Sequence, residues 1–393
     1  MAGDIWAALT LGAGYNAVVV MLGLAALGAA AGPVGAFMIL KRRPLLADAV
    51  AHATLPGVAL GFLAALALTG DGRQPAFLLI GAAMTGALAA GAMHLLKDGE
   101  RIGEDAATAA ALSVAFGLGV ALLSLIQALP TGGQAGLNAY LLGQAAAMTG
   151  QEAWVGAAVG GGALVILTLL FKELSQAAFD PVQAAAQGMP VRMLDLVTSA
   201  LMLALVAAGL RAVGLVLILA LLVTPAAAAR FWTDRLPRLA VLAAIFGAGG
   251  AYLGAGLSAA LPGVPTGALI VIILSLVFAF SLAFAPRRGA IAAGLRRLRL
   301  RRLLARRAAL ASIAAGAPPG DRRLAQRRGW IDGAGAATPA GLAAAALWAR
   351  EDTLRARYLD NRPEEAGRIA ASERPIWELL PRDVIAELER SGA

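Results

Sequence analysis

Nine long apolar blocks, at approximately 16–40, 45–69, 75–96, 106–129, 153–171, 193–210, 213–229, 239–260 and 266–285, set the terms for anything this chain can fold into. Most are near the roughly 20 residues that a helix needs to cross a bilayer. The chain is 59% hydrophobic and 15% charged. A soluble domain is closer to about half apolar and a quarter charged. Only a lipid solvent accounts for so many long blocks. The expected fold class is therefore an all-α polytopic membrane protein with about nine transmembrane helices. The blocks at 193–210 and 213–229 are short, and Arg211 between them argues for a turn rather than one long helix. Segment 131–150 is too polar and Gly-rich for a further span; it is expected to form an external loop with a short re-entrant or interfacial helix.

Charge divides the chain. Residues 1–286 hold 12 Lys/Arg and 12 Asp/Glu, so they balance, and the whole net charge of +9 falls in residues 287–393. Within 287–328 stand 13 arginines against one acid, Asp321. A neutral membrane domain is followed by a basic tail. Cysteine is absent, which excludes disulfides, thiolate zinc sites and iron–sulfur clusters within this chain. The N-terminal stretch has no basic n-region and no small-residue cleavage pattern, so a removable signal peptide is not expected.

Lys and Arg in short loops set orientation. Lys41, Arg42 and Arg43 follow the first block, Lys97 and Arg101 the third, and Lys172 and Arg192 flank the loop after the fifth. Arg230, Arg235 and Arg238 follow the seventh, and Arg287 and Arg288 the ninth. The opposite side offers only Arg73 and Arg211. The expected topology has the N-terminus outside and the C-terminus in the cytoplasm of a bacterium, the protein spanning its inner membrane. The 47 glycines, with alanine throughout, suit a tightly packed bundle, because small residues let membrane helices approach closely.

The most informative stretch is KRRPLLADAVAHATLPGVALG, residues 41–61. Pro44 suits the first turn of a helix. Asp48 and His52 then fall at i and i+4 on one face. His52 lies about 12 Å along that helix, which puts both groups inside or at the edge of the membrane. Ionisable groups there are costly and face a cavity or a partner. Pro56 cannot donate to the carbonyl of His52, and Gly57 lets the backbone bend. A carboxylate, an imidazole and a freed carbonyl are nitrogen and oxygen ligands that suit manganese, iron or zinc. The same two residues also fit a purely structural hydrogen-bonded pair, or a contact to Arg42 or Arg43. His94, one turn before Lys97, suits a helix C-terminus electrostatically. Gln127, Asn138 and Gln144 read as loop and interfacial residues that could line an entrance.

Between the fifth and sixth blocks, Asp180 can cap a short helix with Pro181 at its first position, and Gly188 and Pro190 stop it. Such a brief capped helix on the basic side suits insertion into a partner. The chain has no GxxxxGK[ST] phosphate loop, so it cannot hydrolyse ATP itself.

Three blocks in order carry a family resemblance. RRPLLADAVAHATLPGVALGF (42–62), LSQAAFDPVQAAAQGMPVRMLDL (174–196) and RAVGLVLILALLVTPAAAARFWTDRL (211–236) resemble the permeases of the zinc/manganese/iron ABC importers, over about residues 15–286. The resemblance implies an importer of two permeases, identical or sister chains, two ATP-binding subunits and an extracytoplasmic metal-binding protein. It implies that Asp48 and His52 line the ion path and that the 174–196 loop docks on the ATPase. It implies no cofactor in this chain; the divalent metal is the transported substrate and ATP is bound by the partner. Two positions depart from the family pattern: Ala51 precedes the histidine where a hydroxyl residue is common, and Ala228 stands where a threonine is common.

In the tail, LRRLRLRRLLARRAALASI (295–313) reads as an Arg-rich helix suited to anionic lipid, and GAPPG (316–320) as a linker. LAQRRGWIDGAGAATPAGLAAAALWAREDTLRARYLD (324–360) resembles part of the winged-helix domain of diphtheria-toxin-repressor-type regulators: a helix to Arg328, a short strand with Trp330 and Ile331, a Gly turn, and a new helix at Thr338-Pro339. No recognition helix is evident, and DNA binding is not expected. The reading is thus a permease domain over 1–286, a basic helix and linker over 287–320, and a small cytoplasmic winged-helix-like accessory domain over 321–393. The competing readings are a proton-coupled secondary metal transporter with Asp48–His52 as relay, and a membrane-tethered regulator acting through the tail.

Overall fold

The computed structural model describes residues 14–41, 44–72, 74–97, 103–129, 148–261, 263–286, 288–362 and 375–390, with scattered positions before residue 14. Of the segment predicted at 131–150, residues 131–147, and with them Asn138 and Gln144, lie outside the described residues, as do the side chains of His94 and Arg211. Two compact units form, Met1–Ala290 and Ile291–Ala393.

The first unit is a helical bundle. Its long helices are α1 (Tyr15–Leu40), α2 (Pro44–Thr69), α3 (Pro75–Lys97), α4 (Glu104–Gln127) and α5 (Gly150–Leu169). Two short helices, α6 (Phe171–Phe179) and α7 (Pro181–Ala186), lead into α8 (Val191–Trp232), α9 (Leu236–Ala260) and α10 (Thr266–Phe284). Among the described residues, eight helices are long and apolar enough to cross a membrane, and Val216–Trp232 is a ninth, shorter apolar helix. Helix α8 runs 42 residues but breaks at Gly214, whose φ of 77° and ψ of 169° are not helical. Unbroken, it would span roughly 63 Å, twice a bilayer core. The two expected crossings are therefore separate, divided three residues beyond Arg211 by the one residue type that takes a positive φ without a Cβ clash.

Small residues set the packing. A Cβ on Gly28 of α1 would stand 2.5 Å from the Gly247 carbonyl oxygen of α9, and one on Gly32 would stand 2.2 Å from that of Ala243. The two backbones touch along a shared four-residue spacing, a GxxxG type of contact that replaces the hydrophobic drive missing in lipid. Helices α2 and α3 meet in the same way, with Gly57 against Gly81. Phe37, Phe62, Met21, Leu24, Leu205 and Ile218 fill the centre, so α1, α2 and α8 form the inner layer. Helices α4 and α10 are mostly exposed, as lipid-facing helices are.

The second unit contains α11 (Ala290–Ala314), α12 (Arg322–Arg327), α13 (Pro339–Asn361), α14 (Ile376–Leu379) and α15 (Arg382–Arg390). Asp321 caps α12 through the Leu324 amide at 3.0 Å, and Thr338 caps α13 through the Gly341 amide at 3.1 Å, with Pro339 in the first turn. Ala309, Leu310 and Ile313 of α11 share a core with Ala325, Trp330, Ile331 and Ala345. The expected strand around Trp330 and Ile331 is reduced to one antiparallel bridge, Ile331 with Ala337. Five residues, 332–336, close that turn, with the Asp332 carboxylate accepting from the Ala336 amide at 2.8 Å. No strand occurs among the described residues, so a wing is not formed there.

Candidate functional site

Helix α2 starts at Pro44, and its register brings Asp48 and His52 together. His52 Nε2 lies 3.4 Å from Asp48 Oδ1. A divalent ion with bonds of roughly 2.1 Å to both atoms, at a tetrahedral angle, spans roughly that separation. The His52 side chain is 25% exposed and the Asp48 side chain 41%, so one edge of the pair is open while the helix behind it is buried. Ala49, Val50, Ala51, Ala53 and Thr54 are all buried. Thr54 donates to the Ala51 carbonyl at 2.6 Å, and Pro56 supplies no N–H to the carbonyl of His52.

Neighbouring helices close around this segment. Phe116 of α4 meets the His52 ring edge to face, with centroids 5.2 Å apart. One turn on, a Cβ at Gly119 would stand 3.1 Å from Pro56 Cδ, so α4 crosses α2 at its proline. When Nε2 is left as the acceptor for an ion, the neutral ring carries its proton on Nδ1. That atom is buried and has no hydrogen-bond partner. An orphaned polar atom of this kind is uncommon in a packed helix and marks a constrained ring. Among the described residues no group of three or more His, Asp or Glu gathers around the pair. Further ligands would be water or backbone oxygen. Gln127 is exposed at the end of α4.

The loop helix α7 forms as a capped unit. Asp180 accepts from the Gln183 amide at 2.9 Å, and Pro181 holds the first turn. Gly188 ends it with φ of 80°, and Pro190 precedes α8. Phe179 and Val182 stand exposed beside the cap, Val182 at 78%. Phe179, the last residue of α6, and Val182 of α7 together form an exposed apolar knob that a partner can cover.

One feature of the site has no local sequence signature. Lys41, the residue that ends α1, donates to Asp195 of α8 at 2.7 Å and to Thr198 at 3.1 Å. The Lys41 side chain is only 7% exposed. Lys41 stands three residues before α2, and Asp195 five residues after Pro190. The pair therefore ties the start of the helix that carries Asp48 and His52 to the exit of the α7 loop.

A bundle of apolar helices with an ionisable pair on an inner helix and a capped loop helix defines a membrane transport subunit. Residues 15–285 match the ABC 3 transport family, and the chain belongs to it. It is a membrane-spanning permease subunit and not an enzyme; ATP hydrolysis falls to a separate chain. The chain is 39% identical over 294 residues to the manganese transport system membrane protein MntC of Bacillus subtilis, covering 75% of this chain and 66% of that protein. It thus spans just under two thirds of that relative's length. It is 37% identical over 275 residues to the zinc transport system membrane protein TroC of Treponema pallidum, covering 70% of this chain and 91% of that one. The solved complex of PsaBC from Streptococcus pneumoniae with a Fab is similar at a TM-score of 0.62 and 29% identity, covering 73% of this chain and 98% of the matched one. Such a multi-pass permease resides in the bacterial inner membrane.

Proposed function

We propose that this chain is the permease of an ATP-driven importer that carries divalent transition-metal ions, manganese, zinc or ferrous iron, into the cytoplasm. The observation that carries the proposal is the Asp48–His52 pair, 3.4 Å apart on an inner helix of a membrane bundle. Oxygen plus imidazole nitrogen suits these ions. Two protein donors give a site weak enough to release the ion after each transit, as conduction requires. The relatives named for manganese and zinc transport support the substrate class.

An extracytoplasmic binding protein delivers the ion, and Asp48 and His52 hold it transiently. A second permease, a copy of this chain or a sister, completes the pathway. A cytoplasmic ATP-binding subunit docks on α7, where Asp180 and Pro181 start the helix and Gly188 and Pro190 end it. The exposed Phe179 and Val182 supply an apolar contact for that docking. Basic residues at alternate helix exits support an external N-terminus and a cytoplasmic C-terminus. In this reading residues 1–286 are the permease, 287–320 a basic helix and linker on anionic lipid, and 321–393 a small cytoplasmic accessory domain.

The test is uptake by vesicles holding the permease, its ATP-binding partner and the binding protein. Accumulation of manganese, zinc or ferrous iron that requires ATP and survives a protonophore supports the proposal. Flux that a protonophore abolishes and that needs no ATPase sinks it in favour of a proton-coupled carrier.

A further inference from the structure

The tail contains a cavity of about 250 Å³ between α11, α13 and α14 that the transport reading does not use. Arg306 and Arg307 of α11 form one wall, Trp348 of α13 and Trp377 of α14 another, and Leu310 and Leu347 contribute apolar surface. The volume is near the lower end, about 300 Å³, of cavities that enclose one small ligand.

Its charge is one-sided. Glu351 also lines the cavity, but its Oε1 is held by Arg355 of the same helix, with Nε at 2.9 Å and a terminal nitrogen at 2.8 Å, which offsets its charge. Neither Arg306 nor Arg307 forms an ion pair with an acid among the described residues. Arg306 is steadied from below, its guanidinium carbon 5.9 Å from the ring centre of the buried Trp330. Two planar forks with no acidic partner among the described residues are suited to bidentate capture of a phosphate. The two indoles that line the same cavity are flat apolar surfaces of the kind that stacks with an aromatic ring.

We propose that this cavity binds a mononucleotide, its base against Trp348 and Trp377 and its phosphate on Arg306 and Arg307. The chemistry excludes simpler occupants. A bare anion leaves the indoles unused, and an uncharged aromatic leaves two guanidinium groups unmatched. The site makes the tail a nucleotide-responsive element, separate from the ion path and from ATP hydrolysis, for which this chain has no phosphate loop.

The test is equilibrium dialysis of radiolabelled ADP against the full-length chain, purified alone in detergent, with Arg307→Gln and Trp377→Ala beside it. Trp377 is exposed and Arg307 makes no ion pair among the described residues, so both variants should melt like wild type; either one that does not is replaced by Arg307→Lys or Trp377→Leu. Saturable ADP binding by wild type is expected, weakened about tenfold in each variant, for lost charge-assisted bonds and lost stacking respectively. Adenosine and inorganic phosphate should each compete about tenfold more weakly than ADP. Binding that is absent, or equal in wild type and variants, overturns the proposal. Inorganic phosphate competing as well as ADP also overturns it, because the site is then a plain anion site.

Discussion

Lys41 and Asp195 stand 154 positions apart in the chain, and their side chains meet at 2.7 Å in a largely buried ion pair. The pair joins the end of α1 to the first turns of α8. Removing one partner from a buried pair leaves a charge with little compensation, at about 3–5 kcal/mol. Thr198 stays within 3.1 Å of Lys41, so the lower end of that range is expected here.

Asp195→Ala should therefore lower the melting temperature of the purified permease by several degrees. Reversal of the pair, Lys41→Asp with Asp195→Lys, should recover most of the loss. A double variant as unstable as the sum of its single changes would show that the contact contributes no coupling energy.

The α1–α9 seam should tolerate no side chain. Gly28→Ala places a methyl group against the Gly247 carbonyl, and overpacking of this kind costs about 1–3 kcal/mol. Gly91→Ala on α3 meets nothing within 4 Å and should be neutral or mildly stabilising. Thermal melts in detergent compare the two at equal protein concentration, and equal shifts would contradict the packing account.

Asp180→Ala removes the cap of α7, worth about 1 kcal/mol for an Ncap residue. The permease itself should melt nearly unchanged, because α7 is short and mostly exposed. Copurification of the ATP-binding subunit should fall severalfold, and Asp180→Asn should restore it, since asparagine also caps. Unchanged recovery of the ATPase with Asp180→Ala would separate α7 from the docking surface.

Phe116→Ala opens the space at the His52 ring without touching the two donor atoms. Loss of an aromatic contact from a packed ring costs about 1 kcal/mol beyond area. Metal uptake should persist with a raised half-saturating concentration. A variant that transports as wild type would show that ring placement is not limiting.

The nine apolar blocks made the bundle legible, because membrane crossing imposes length and polarity on each helix independently. The capped α7 was equally readable: Asp180, Pro181 and Gly188 each act within a few residues of chain. The same holds for Asp48 and His52, which meet because residues four apart share one face of a helix that Pro44 starts. Other features needed the third dimension. Lys41 read as a topology signal, and nothing near it in sequence points to Asp195. Phe116 lies in a helix that is apolar all round, so no periodicity says which residue faces α2. Arg211 drew attention to the turn in α8, but the break falls at Gly214, where backbone freedom rather than charge decides. The tail shows the opposite error: Trp330 and Ile331 have strand-forming side chains, yet the turn after them is so tight that only one bridge forms.

The central claim is that Asp48 and His52 form the ion path. Its most direct measurement is metal accumulation in cells carrying the complete transporter, with wild type, Asp48→Ala and His52→Ala compared at equal membrane abundance. The account predicts that both variants lose uptake of the same metal, by at least the roughly tenfold to hundredfold that loss of even an outer-shell partner costs. Uptake that continues unchanged in either variant would contradict it and make the pair a structural contact.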